Sequence, residues 1–365
     1  MVRLIFFCLL IALSLSCSRS GKRNPSLMQE ATGRPGDMVL IMDSTQWKEA
    51  LGQHLRGIFQ AEVTGLPRPE PRFNVTWVHP NRNFRLLTQI RNLVYVFTLD
   101  HKTSGTRAIT DNLSPQTIDT IRRDPGFYIS VKQDQYARGQ VVMYLFSNTE
   151  GQLIDQLEKN GQRIAEYFHI IERNRLVSSF RRTRTTRGST EFLRKELQCE
   201  MVLPIGFQMA DRRKDFIWFR NIEVDADKNV FISWKPYTSE TQLQKENLIE
   251  WRNNIARRYL YEDPEQPNSY IVTETSVPFQ PVTTKQVSMN SNYAVELKGL
   301  WKTNNNTMGG PFIGYSLIDE AQGLLYYIEG FAFSPGKDQR EIMRELEAIL
   351  WTFRTSESII TEETR

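Results

Sequence analysis

Only one stretch of this chain is apolar enough to concern a membrane, and it is too short to cross one. Met1-Val2-Arg3 carries a single positive charge, and Leu4 to Leu15 then runs apolar, with serine as its only polar interruption before Cys17. A spanning helix needs about twenty apolar residues, whereas a secretory leader needs an apolar core of roughly seven to fifteen and small residues at the cut site. Ser14-Leu15-Ser16-Cys17 supplies that site. Residues 1–16 are therefore expected to be a removable signal peptide. No later run approaches membrane length, so everything after Cys17 is expected to fold in water.

The end of the leader resembles a bacterial lipobox, in which the cysteine after a small residue is acylated and becomes the new N-terminus. Lipoboxes usually carry Leu three residues before the cysteine; here Ser14 stands there, between Leu13 and Leu15. The resemblance implies lipidation of Cys17 and attachment to a membrane through that lipid. The alternatives are an ordinary secretory signal, or an uncut hydrophobic anchor, with Cys17 unmodified. Of the three cysteines, Cys8 leaves with the leader and Cys17 is acylated, so Cys199 has no disulfide partner and reads as a small buried hydrophobe. Residues 17–36 open with Ser18-Arg19-Ser20-Gly21-Lys22-Arg23-Asn24, basic and without apolar residues, and are expected to form a flexible tether.

Removing residues 1–16 leaves 349 of the 365 residues, enough for two domains of ordinary size. The formal charge of +4 becomes +3 when Arg3 leaves, and a field that weak gives no sign of a nucleic-acid partner. In the first half, Met38–Met42 predicts a strand. Asp43 then caps a helix carrying Trp47, Leu51, Leu55 and Ile58 on one face, with Gln46 placed to complete a capping box. Leu93–Leu99 lacks a polar face and suits a strand covered on both sides. Ser114-Pro115 opens a helix, and a long helix over Glu150–Arg173 closes the half. In the second half, Met201–Pro204 reads as a strand, and hairpins are predicted for 216–234 and 312–333. Ser239 with Gln242 caps a helix bearing Leu248, Trp251 and Ile255, and a last helix places Ile342, Leu346, Ile349 and Leu350 on one face.

These elements give a signal peptide (1–16), a tether (17–36), an N-terminal domain (37–175), a basic junction (176–190), a C-terminal domain (191–354) and a polar tail (355–365). The class is α+β, because hairpins outnumber strand-helix-strand alternations: two helix-covered, mainly antiparallel sheets, like αβα sandwiches. Ala137-Arg138-Gly139 and Ala321-Gln322-Gly323 each precede a strand and then the helix that closes its half. A duplication is one reading of the two halves, and unrelated domains the other.

The chemistry-bearing residues are sparse. His54, His79, His101 and His169 stand apart in sequence, and none belongs to a short metal-ligand spacing, so no metal is expected. No G-x-S-x-G, phosphate-binding loop or dinucleotide fingerprint occurs, so no catalytic residue and no cofactor is assigned. Gly309-Gly310 is followed by Pro311, which has no N–H for a phosphate, and reads as a tight turn. Arg173, Arg175, Arg181, Arg182, Arg184 and Arg187 lie in one run without an acid. Arg181, Arg182, Arg184 and Arg187 are candidate contacts for an anionic headgroup or a protein partner, against the simpler reading of a solvated helix end and linker. Leu66–Phe73, with three prolines, reads as a stiff extended connector or a recognition segment. Trp218, Trp234, Trp301 and Phe312 either line a pocket or fill the core, and strand alternation favours the core.

The segments Gly36–Asp43, Leu66–Phe73, Met308–Phe312 and Phe331–Leu350, with Trp47, together resemble the Bacteroidota lipoprotein family named domain of unknown function 4837, over nearly the whole mature chain. The resemblance implies an envelope lipoprotein of a Gram-negative cell. The second half alone, through Pro204-Ile205-Gly206-Phe207, Tyr326–Phe331 and Trp351-Thr352-Phe353, is similar to the PsbP-type αβα sandwich, whose members serve as binding and assembly factors. The expected function is a non-catalytic binding or assembly factor, attached by its lipid to the outer membrane and facing the periplasm, with an envelope protein or glycolipid as partner. The alternative is a periplasmic hydrolase with a site gathered from distant carboxylates.

Overall fold

Leu93–Leu99 cannot sit at a surface, and in the computed structural model it lies at the middle of a sheet. Residues 28–80, 87–183, 187–260, 268–276 and 281–356 are described; Cys17 and its leader lie outside them. Grouped by contacts, the described residues form two compact units, those within 1–47 and 76–153, and those within 48–75 and 154–365. The fold is mixed α+β with two sheets.

The first unit holds a five-stranded sheet of β1 (Asp37–Ile41), β2 (Asn74–Val78), β3 (Asn92–Thr98), β4 (Ile129–Gln133) and β5 (Val141–Ser147), in the order β2-β1-β3-β5-β4. Every residue of β3 is buried. β1/β3 and β3/β5 run parallel, and only β4/β5 is antiparallel among these three pairs. This corrects the antiparallel expectation for the first sheet. The continuous apolar runs were the signal, since strands without a polar face belong to parallel sheets covered on both sides. The helices α1 (Ser44–Lys48) and α2 (Ala50–Phe59) follow β1 in sequence, and α3 (Ser104–Thr110) and α4 (Pro115–Arg123) follow β3. Ile109 of α3 and Ile121 of α4 pack with Leu93, Tyr95, Phe97 and Val142. As expected, Ser114 Oγ accepts the Thr117 N–H (3.1 Å), with Pro115 in the first turn of α4. Residues near Thr32, expected in the tether, pair with Ile90 and Arg138 of this unit.

The second unit is built on an antiparallel sheet curled into a half-barrel. Its strands are β6 (Gln208–Arg213), β7 (Phe216–Ile222), β8 (Asp227–Pro236), β9 (Ile271–Glu274), β10 (Thr283–Met289), β11 (Asn292–Thr303), β12 (Gly309–Asp319) and β13 (Leu324–Phe333). They run β10-β11-β12-β13-β8-β7-β6, with β9 beside β11. The helices are α5 (Glu150–Arg182), which begins in the first unit, α6 (Arg187–Leu197), α7 (Lys245–Tyr259) and α8 (Arg340–Leu350). Alternation sorts the strand residues between two cores. Ile217, Ile232, Ile313 and Ile328 meet Leu346, Ile349 and Leu350 of α8 on one face. Phe216, Phe231, Leu297 and Tyr327 meet Leu248, Ile255 and Ala256 of α7 on the other. The second unit is thus layered helix, sheet, helix, and each fully buried side chain of this size stabilises it by about 1.5–3 kcal/mol. Strand order and sense differ between the two sheets, so the halves are not copies of one unit.

Several local expectations are corrected. The long helix continues past Arg173 to Arg182, because Leu176, Val177 and Phe180 extend its apolar stripe onto the core. Met201–Pro204 forms no strand; Met201 and Leu203 are buried in irregular chain beside the isolated Glu200–Arg354 bridge. Gly309 and Gly310 open β12 instead of forming a turn. A Cβ on Gly310 would collide with the Ala332 carbonyl, which explains glycine there. The edge strands β6 and β10 are largely exposed and polar, and carry no hydrophobic alternation to read. The β10–β11 turn places Asn290 and Ser291 at φ of 50° and 71°, as two-residue hairpins require.

Candidate functional site

The segment expected to be a stiff connector folds back on itself. Val63 N donates to Glu70 O (2.9 Å) and Arg72 N to Ala61 O (2.8 Å), so residues 61–72 form a closed loop. α8 has no capping side chain of its own: Gln339 stands at its N-cap without a side-chain cap bond. Glu70 supplies one from 269 residues away, accepting the Gln339 N–H (2.7 Å) and the Arg340 N–H (2.9 Å). Both N–H groups sit at the positive end of the helix, where a carboxylate is favoured. Arg344 donates to the Arg72 carbonyl (3.1 Å), and Arg340 to Pro71 O (2.5 Å), so the loop is clamped to α8 along its length.

Between this loop, α5, β10, β11, β12 and α8 lies a cavity of about 640 Å³, all of it within the second unit. That volume suits a small organic ligand. Its walls carry the cations Arg72, Arg173, Lys285, Lys298, Arg340 and Arg344 and the acids Glu166, Glu296 and Glu347, with His169 among them. Leu66, Ile170, Val287, Ile313 and Met343 supply the apolar part.

At one wall Glu347 Oε1 lies 3.0 Å from His169 Nε2 and 3.1 Å from Arg173 Nη1. Burial alone would raise the Glu347 carboxyl, but His169, Lys298 and Arg173 outweigh it and hold it well below the ordinary carboxylate range. The Arg173 guanidinium lies 3.4 Å from the centre of the Trp351 ring, a cation–π contact. Trp351 Nε1 donates to Tyr315 Oη (3.1 Å), which donates to Glu296 (3.0 Å). Burial, then Glu347 and Glu296, push the Tyr315 hydroxyl far above its ordinary value. Glu347 is therefore a fixed acceptor of two charge-assisted bonds and a poor base.

A second polar cluster lies in the first unit, where strands end together. Met42 N, after β1, donates to Val78 O at the end of β2 (3.3 Å). Just beyond these ends and that of β3 stand Asp43, His79 and His101. Asp43 Oδ1 accepts the Thr45 N–H (3.0 Å) and hydroxyl (2.5 Å) and lies 3.2 Å from His101 Nε2. Oδ2 accepts the Thr103 hydroxyl (2.7 Å) and lies 3.6 Å from His79 Nε2. Burial would raise the Asp43 carboxyl; the bonds from Thr45, Thr103 and His101 hold it below its usual value. The carboxyl ends of parallel strands are the usual ligand crevice of such sheets. Here protein donors take up the carboxylate's acceptor positions, and Asp43 ties three loops together. Gln46, expected in a capping box, instead donates to Thr98 (2.9 Å) and Glu150 (2.9 Å).

Every histidine thus meets a carboxylate, since His54 also lies 3.1 Å from Glu158, although the four stand apart in sequence. Among the described residues no group of three or more His, Cys, Asp or Glu is arranged to hold a metal. Arg181 and Arg182 end α5 exposed, and Arg187 opens α6; Arg184 lies outside the described residues. Of the arginine run, Arg173 alone among the described residues lines the cavity. Trp218, Trp301 and Phe312 fill the α7-side core, with Phe312 also reaching the cavity, and Trp234 packs on the opposite face. Cys199 is fully buried, its thiol pushed up to about 12 by burial and then by Asp319 and Glu200. Arg252 and Glu329, both fully buried, pair through two 2.8 Å bonds, with Thr273 and Tyr327 completing the network. Sequence separation hid all of these groupings.

Residues 186–352 match the family model described as Domain of unknown function (DUF4837), and residues 31–181 match a second, Domain of unknown function (DUF8532). The first-half segments Gly36–Asp43 and Leu66–Phe73 lie within the second match and outside the first. No protein of curated function matches the chain in sequence. Among solved structures, human StAR-related lipid transfer protein 5 is 6% identical at a TM-score of 0.22, over 52% of this chain and 98% of that one. The lipid transfer and protein localization domain of human StarD13 (DLC2) is 10% identical at 0.21, over 40% and 89%. At these scores neither bears on fold or function. No helix among the described residues is long and apolar enough to cross a membrane.

Proposed function

We propose that this chain is a lipid-tethered binding protein of the cell envelope, without catalysis of its own, whose second unit holds a small ligand in the cavity beside α8. The single observation behind the reading is that cavity of about 640 Å³, walled by helices and strands and lined by both charged and apolar side chains. The rival, an envelope hydrolase, draws on the same walls, where Glu166, Glu296 and Glu347 stand with His169. Hydrolysis needs a carboxyl or imidazole free to exchange a proton near neutral pH. Glu347 is committed to His169 and Arg173, and Glu296 accepts from Tyr315, which favours binding.

Attachment at the outer membrane, facing the periplasm, is part of the proposal and rests on the leader, the small residues before Cys17, and Ser18 after it. The test is mass spectrometry of protein extracted natively from membranes. The expected result is a chain beginning at an acylated Cys17, together with a co-purifying small molecule that is released on unfolding. An unmodified cysteine would remove the tether, and no bound molecule under any extraction would remove the ligand.

A further inference from the structure

We infer that the ligand of this cavity is an anionic amphiphile, one phosphate or carboxylate group on an alkyl or acyl chain; the inference rests on reading the cavity as a ligand site. Its walls carry six cations against three acids. Arg340 and Arg344 are already held by Glu341, at 2.7 and 2.6 Å, and Lys285 lies 3.8 Å from Glu166. Arg72, Arg173 and Lys298 are the ones less neutralised. Lys298 makes no ion pair within 4.0 Å among the described residues and acts on Glu347 only at longer range, and an Arg72 N–H reaches only the Gln162 amide oxygen among them, at 3.4 Å. Arg173 is 7% exposed, shares Glu347 with His169, and its buried Nε has no hydrogen-bond acceptor among the described residues. Burial lowers the Arg72 guanidinium against the opposing pull of Glu166, as incomplete compensation implies. Cations kept from water without full pairing are costly, and an oxyanion offering several lone pairs offsets that cost.

The apolar half of the ligand follows from the remaining wall. Ile170 lines the cavity and is 36% exposed, and Val287 and Met343 stand with it. The Arg173 guanidinium already covers Trp351 and the Arg252 guanidinium covers Phe312, the two aromatic rings that reach the cavity, so a flexible chain fits better than a flat ring.

The test titrates the full-length chain with lysophosphatidate, with lysophosphatidylcholine and monoacylglycerol of the same acyl chain, and with glycerol 3-phosphate. Lysophosphatidate is expected to bind at least about tenfold more tightly than each of the other three. Lys298→Met keeps the stem that packs against Gly65 while removing the charge, and should weaken lysophosphatidate about tenfold without affecting monoacylglycerol. Arg72→Gln is a second, independent variant with the same expected signature. Equal binding of monoacylglycerol overturns the anionic half, and equal binding of glycerol 3-phosphate identifies a free anion and overturns the chain. If none of the four binds while another molecule co-purifies, the inference falls and the cavity reading stands; if nothing binds or co-purifies, both fall.

Discussion

Removing the Glu70 carboxylate should loosen the start of α8 from a position 269 residues away in sequence. The side chain is 7% exposed and accepts two backbone N–H groups, at 2.7 and 2.9 Å. Glu70→Ala leaves both donors without an acceptor in a site too closed for easy hydration. A lost helix cap costs about 1 kcal/mol and each buried orphan donor about 1–3 kcal/mol, terms that overlap, so a total of about 2–4 kcal/mol is expected. Glu70→Gln keeps an acceptor oxygen but loses the charge facing the helix dipole, and should cost about 1 kcal/mol. Arg68→Ala is the control: its ion pair with Asp338 is exposed at 3.5 Å, and the change should stay within about 1 kcal/mol. Denaturant unfolding gives the totals. Hydrogen exchange locates them, since the first-turn amides of α8 should exchange about thirtyfold faster or more in Glu70→Ala. If those amides keep their protection, or stability changes by less than about 0.5 kcal/mol, the cap is incidental and the reasoning is wrong.

Other substitutions probe the remaining sites. Glu347→Gln strands Arg173 and His169 and should cost about 3–5 kcal/mol at pH 7. Because the Glu347 carboxyl is held below its ordinary 4.5, its contribution is complete above that pH and is lost progressively below it, as pH falls through the lowered folded-state value; the gap from wild type in urea unfolding should narrow under acid, and a constant gap would refute the assignment. Asp43→Asn should cost about 1–3 kcal/mol in thermal unfolding of the first unit, the loss of hydroxyl and imidazole partners being the cause. Gly310→Ala forces a methyl onto the Ala332 carbonyl and should destabilise by at least about 2 kcal/mol. Gly57→Ala, with nothing near its Cβ on α2, should stabilise by about 0.5–1 kcal/mol, and calorimetry giving both the same sign would contradict the packing.

What could be read from the sequence was local. Ser114-Pro115 and the Ser239–Gln242 capping box announce themselves within four residues; the first formed as expected, while the second closes a short 3-10 turn at Glu240–Leu243, and α7 itself has Gln244 at its N-cap without a side-chain cap bond. The apolar run at Leu93–Leu99 also marked its strand, while the sense of the pairing depended on which strands arrived beside it. Edge strands β6 and β10 were invisible because residues on both of their faces are exposed, which leaves no alternation. The cavity was invisible for another reason. Its charged groups come from the loop near Arg72, from His169 and Arg173 on α5, from Lys298 on β11 and from Glu347 on α8, and no spacing rule relates such distant positions. His79 and His101 likewise reach Asp43 only because strand ends meet.

The burial of Cys199 has a practical consequence. In a chain begun after Cys17 it is the sole thiol, and with its sulfhydryl shielded and pushed up to about 12 it cannot react with an alkylating reagent until the second unit opens. Its alkylation rate is then a clock for rare openings of the native state, readable by mass without any introduced label. A ligand that occupies the cavity would slow that clock in proportion to its concentration over its dissociation constant, so candidate molecules can be ranked on unmodified protein.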